Sequence, residues 1–246
     1  RGKDTAQGGS IQLSAGAGAL AGDVTVQSGM ASAGTGGALS LLGGFSNDLN
    51  LKGGEVVVGS DDSTGATGDV SVMSGLSSMS SGNVFVASGD AAQTAGSVSV
   101  TGGASSESRG ADVTVRSGHS IADAGVGGTL SLSSGSGFTG GDVGVTSGNG
   151  EGSNAGSVTI QGGAGTSGGQ VTVQAGQSEI TDGGALLLSG GSSTMGVGGA
   201  VSLTSGVGVD GSGFVTVGSA DGDASGAICM TTGHSKTKSG SIDVMS

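Results

Sequence analysis

The sequence predicts an all-β fold, a flattened two-sheet parallel β-solenoid with about 29 residues and two strands per coil and about 8.5 coils. Three observations carry that expectation. Apolar-x-apolar triplets recur along the whole chain, residues within each unit alternate with period two, and glycine-rich stretches separate one unit from the next.

The triplets open at Ile11, Val24, Leu39, Val56, Val70, Val84, Val98, Val113, Leu130, Val143, Val158, Val171, Leu186, Val201, Val215, Ile228 and Ile242. Their mean spacing is about 14.4 residues, and no shift in composition interrupts them, so residues 1–246 are expected to form one continuous array. In GDVTVQSG at 22–29, Val24, Val26 and Ser28 fall on one face and Asp23, Thr25 and Gln27 on the other, as in a short strand with one covered face. The glycines on either side supply the turns. Units also alternate in type. Even-numbered ones tend to open with an acid or amide (Asp23, Glu55, Asn83, Asp112, Asp142, Gln170), and several odd-numbered ones end in Gly-Gly (43–44, 102–103, 162–163, 190–191). This alternation favours two strands per coil over one strand per 14–15-residue coil. Stacked at roughly 4.8 Å per coil, the predicted rod is about 40 Å long.

Composition narrows the function classes. The 246 residues include 59 Gly but no Pro, Trp or Tyr, and the formal charge is −12, from 7 basic and 19 acidic side chains. Collagen requires glycine at every third position together with abundant proline, and this chain has neither. Glycine and serine at this level suit a disordered linker, but the aliphatics are spaced, not scattered. An acidic chain lacks the basic footprint that nucleic acid or an anionic membrane demands, and no apolar run reaches the length of a membrane span. The single cysteine, Cys229, excludes an intrachain disulfide framework.

Little in the sequence points to catalysis. His119 and His234 both follow the Ser-Gly or Thr-Gly that closes an even unit, and in the predicted stack they lie about 19 Å apart, too far to share a metal or a reaction centre. The serines have no histidine or lysine recurring beside them to serve as a base, and the glycine-rich stretch at 162–169 is not followed by the Lys-Ser/Thr of a phosphate loop. No enzyme, cofactor or resident metal is expected. The weak cation candidates are Asp23 with Glu55, and Asp112 with Asp142, pairs that would meet on adjacent coils. Mid-strand outward positions form interrupted hydroxyl rows, comprising Thr25, Thr114, Thr172 and Ser202 on the even side and Ser40, Ser71, Ser99, Ser131, Thr159 and Thr216 on the odd side.

The series GDVTVQSG, GDVSVMSG, GSVSVTGG, ADVTVRSG, GSVTIQGG and GQVTVQAG resembles the Gly/Ser/Thr-rich β-solenoids of secreted adhesins and of microbial or algal surface fibres. The resemblance is compositional, spans the chain and implies attachment, coating or matrix building. No capping element is visible: a regular unit begins at Ile11 and another is in progress at 241–246. The expected assembly ends are Ile11 and Leu13 at one side and Ile242 and Val244 at the other. These observations lead to the expectation of an extracellular or cell-surface structural protein, extended by end-to-end stacking or tandem continuation, with itself as partner. O-linked glycans or a surface polysaccharide are possible further partners. The alternatives are an ice-binding protein using a flat Ser/Thr face, and an adhesin stalk or polysaccharide-binding module.

Overall fold

A computed structural model describes residues 8–46, 53–152 and 154–245. Among them there is no helix and no strand, and no residue is buried. This overturns the predicted all-β, two-sheet β-solenoid. A sheet needs neighbouring backbones paired at about 4.8 Å, and among the described residues no run of backbone pairs with another. The twelve backbone hydrogen bonds outside regular structure, for the described residues, all lie within turns. A folded chain carries about two backbone bonds for every three residues, so most of this backbone is left to solvent or to a partner.

Local organisation is nevertheless regular, and it follows from the period-two spacing. Around each apolar triplet, the residue two before the first apolar position (the entry position) and the residue four after it (the exit position) share its parity. They therefore lie on the same face as the two apolar side chains. The exit residue of one unit meets the entry residue of the next across the intervening turn. A Cβ on Gly37 would lie 3.4 Å from the Cβ of Ser28, and one on Gly156 would lie 3.2 Å from that of Ser147. Ala15 with Gly22, Ser88 with Gly96 and Ala175 with Gly184 repeat the arrangement. One further residue along, the entry N–H donates to the carbonyl oxygen just beyond the exit residue: Gly37 to Gly29 at 2.9 Å, Gly128 to Gly118 at 2.8 Å, Gly184 to Gly176 at 2.9 Å.

This neck explains the glycines. The entry position is Gly in sixteen of the seventeen units and Ala111 in the other, and at most necks a Cβ there would come into contact with the exit residue. Opposite Ala111 stands Gly102, where a Cβ would lie 2.7 Å from the Ala111 carbonyl oxygen. Where the exit is the first residue of a Gly-Gly pair the backbones close further: a Cβ on Gly162 would overlap the Gly169 carbonyl oxygen, and one on Gly190 that of Gly199. Segments between necks keep a constant length, and the variable spacing resides in the turns. Gly22 follows Ala15 by seven positions, while Gly128 follows Ser117 by eleven. Gly34, at φ 107° in the turn before Gly37, takes a backbone conformation that residues with a side chain rarely adopt.

A third register position closes the bends. In seven units the residue seven after the first apolar position is a serine whose Oγ accepts a backbone N–H two or three residues on. Ser63 accepts from Gly65 at 3.1 Å, Ser77 from Met79 at 3.1 Å, Ser178 from Thr181 at 2.9 Å and Ser193 from Gly196 at 2.8 Å. Ser105, Ser120 and Ser235 do the same. The partly covered residues fall on only two register positions: exits Ser28, Ser74, Ser117, Gly162 and Ala175, and bends Ser46 and Ser178. Cover in this chain belongs to the turns.

Contacts group the chain into two units, Arg1–Thr129 and Leu130–Ser246. The division falls just after the neck between Ser117 and Gly128 and just before the one between Ser134 and Gly141, so each unit is a run of complete necks.

Candidate interaction surface

Between necks, the apolar side chains stand half exposed or more. In the unit opening at Val84, exposure is 53% at Val84, 89% at Phe85 and 74% at Val86. Val56, Val57 and Val58 show the same order, as do Leu186, Leu187 and Leu188. In every unit but the one opening at Ile11 the first apolar residue is the most covered of the set, and in those three units the middle residue is the most exposed. What each unit presents is therefore a pair of aliphatics beside a backbone with free N–H and C=O groups.

Charge is kept off these stretches. From the first apolar residue to the exit position, seventeen units carry only two charged side chains, Arg116 and Asp243. The other acids stand immediately before a triplet, as Asp23, Glu55, Asp69, Asp112 and Asp142 do, or in the turns, as Asp61, Asp62, Asp90, Glu179 and Asp182 do. The register that reveals this sorting is the neck register.

The cation candidates do not come together as a site. Asp23, Glu55, Asp112 and Asp142 are all exposed, and without stacked coils nothing sets Asp23 beside Glu55 or Asp112 beside Asp142. Asp112 instead takes two hydrogen bonds from Nη2 of Arg109, at 2.7 and 2.9 Å, in a pair that is 79% and 68% exposed. Among the described residues no three His, Cys, Asp or Glu side chains gather in a metal-binding group. The hydroxyl rows, Thr25, Ser40, Ser71, Ser99, Thr114, Ser131, Thr159, Thr172, Ser202 and Thr216, are exposed. Of the expected assembly ends, Ile11, Leu13 and Val244 are largely exposed, and Ile242 is half-covered like the other first apolar residues.

A shallow open depression follows the turn from Gly176 to Gly184. Within it Ser178 and Thr181 share a hydroxyl hydrogen bond of 3.0 Å, with Glu179 and Asp182 beside them. It holds no histidine, lysine or cysteine, so it offers neither a nucleophile with its base nor a soft metal ligand. His119 and His234 are exposed turn residues next to the bend serines Ser120 and Ser235, and Cys229 is a free, exposed thiol.

Sequence reasoning missed the bend serines and the confinement of charge. The signal for both was present as a fixed offset from the first apolar residue. It is hidden when units are aligned from turn to turn, because the turns differ in length. No helix among the described residues is long and apolar enough to cross a membrane. Comparison with protein families, with curated proteins and with solved structures finds no match in any of the three.

Proposed function

We propose that the protein is a non-catalytic structural chain that self-associates into an extracellular fibre or surface filament. The observation that carries this reading is the absence of any buried side chain among the described residues. The accessible surface is 24841 Å². A compact monomer of this mass exposes about 9,400 Å² by the usual scaling with molecular weight. More than fifty aliphatic, aromatic and methionine side chains left in water are unfavourable at roughly 25 cal/mol per Å², and association between copies is the route by which a repetitive chain covers them. The Gly/Ser/Thr-rich repeat supports the same role through its resemblance to secreted adhesins and surface fibres, and its hydroxyls are available to O-linked glycans or a surface polysaccharide.

Negative-stain microscopy and sedimentation velocity over a concentration series test this reading. Filaments that lengthen with concentration are expected. A monodisperse monomer at every concentration would overturn it.

A further inference from the structure

We propose that copies of this chain join by backbone pairing between molecules, through the nearly chargeless five-residue stretches of the units, with the acidic turns left at the rim of the assembly. The inference rests on the fibre reading above and specifies its contact.

Four observations lead to it. First, the hydrogen bonds the backbone makes with itself close turns, leaving the N–H and C=O groups of the intervening stretches available. Such groups are costly to cover unless paired, so apolar association alone cannot bury these stretches. Second, the stretches are short, proline-free and nearly chargeless: VTIQG at 158–162 and VTVQA at 171–175 are typical. Those are the properties of segments that pair edge to edge with copies of themselves. Third, all but two of the charged side chains, Arg116 and Asp243, stand outside the stretches. Pairing of these stretches therefore keeps eighteen of the 19 acids, all but Asp243, out of the contact, whereas burying the turns would bring like charges together. Fourth, exposed surface exceeds that of a compact chain of this mass by about 15,000 Å², and a stable interface needs only about 1,200–2,000 Å². Since every unit carries the same stretch, the surface complementary to it is a second copy of this chain.

The necks make the arrangement possible. Eleven of them close within their own turn through the entry N–H and the carbonyl beyond the exit, so ordering the stretches they flank does not require opening them. The pairing is between molecules, and the isolated chain stays as described.

Fibre diffraction and seeded growth test the proposal. Oriented fibres of the unmodified chain should give a meridional reflection at about 4.7–4.8 Å, the spacing of paired backbones. The double variant Thr159→Lys with Thr172→Lys puts charge in the middle of two stretches and should slow seeded elongation about tenfold or more, as charge on an exposed pairing edge does. Thr166→Lys, in the turn between them, should stay within about twofold of the unmodified chain, because its ammonium stays at the rim. Fibres lacking the reflection, or a turn variant slowed as much as the double variant, would overturn this inference while leaving the fibre reading intact. A chain that never forms fibres removes both.

Discussion

Gly190 and Gly162 show how far a single hydrogen atom decides this backbone. Each faces a carbonyl oxygen across its neck so closely that a methyl group has no room, whereas the next residue, Gly191 or Gly163, has nothing within 4 Å. Gly190→Ala should break the hydrogen bond from Gly199 N–H to Gly191 at a cost of about 1–3 kcal/mol, the usual range for overpacking. Amide exchange at Gly199 should then accelerate about tenfold or more, while Gly191→Ala leaves it nearly unchanged. The bend serines act through a different atom. Ser178→Ala removes the acceptor for the N–H groups of Ile180 and Thr181. The expected loss is about 0.5–1.5 kcal/mol, confined to that turn and read from the exchange of the Thr181 amide. The Arg109–Asp112 pair contributes less. Both partners are mostly in water, so Arg109→Ala should alter stability by no more than about 1 kcal/mol.

Units behave as segments of fixed parity joined by turns of free length. Deleting Thr159 moves Ile160 to the opposite face from Val158 and detaches the exit residue from its neck, so the neck hydrogen bond from Gly169 to Gly163 should be lost. Two residues inserted at Ala164, within the turn, should be tolerated, since doubling a loop costs only about 0.6 kcal/mol and natural turns here already run from seven positions to eleven. The exchange of the Gly169 amide checks both outcomes. At this scale much was legible in the sequence. The triplets mark the units, and the even-parity face that groups Val24, Val26 and Ser28 is the face the necks use. The stacking of units into two sheets was not legible, and the reason is physical. An apolar stripe such as Val158 with Ile160 states that one face gains from cover, but the same stripe is satisfied by the chain's own next coil or by another molecule. Alternation between odd and even units did not separate these cases. Gly-Gly at 162–163 and Ala-Gly at 175–176 are two ways of fitting a neck, not marks of two opposed sheets.

Across the whole molecule, stability should depend on concentration. A dilute chain with no buried side chain among its described residues exposes little new surface when denatured, so its denaturant dependence should be shallow and without a cooperative step. Assembled material should melt in a transition whose midpoint rises with protein concentration, a result that scanning calorimetry at several loadings can check. Salt belongs to the same scale. Raising ionic strength from about 0.01 M to about 1 M shortens the screening length from about 30 Å to about 3 Å, and should speed growth of a chain carrying −12 charge, as light scattering would report. The sorting of acids into turns has a consequence for the material such a chain would make. Each copy brings fixed anions that cannot leave, and their mobile counterions must remain with them. A mat of such fibres would be a polyelectrolyte gel whose water content is set by osmotic pressure: it would swell in fresh water, shrink in brine, and hold moisture without any side chain dedicated to the task.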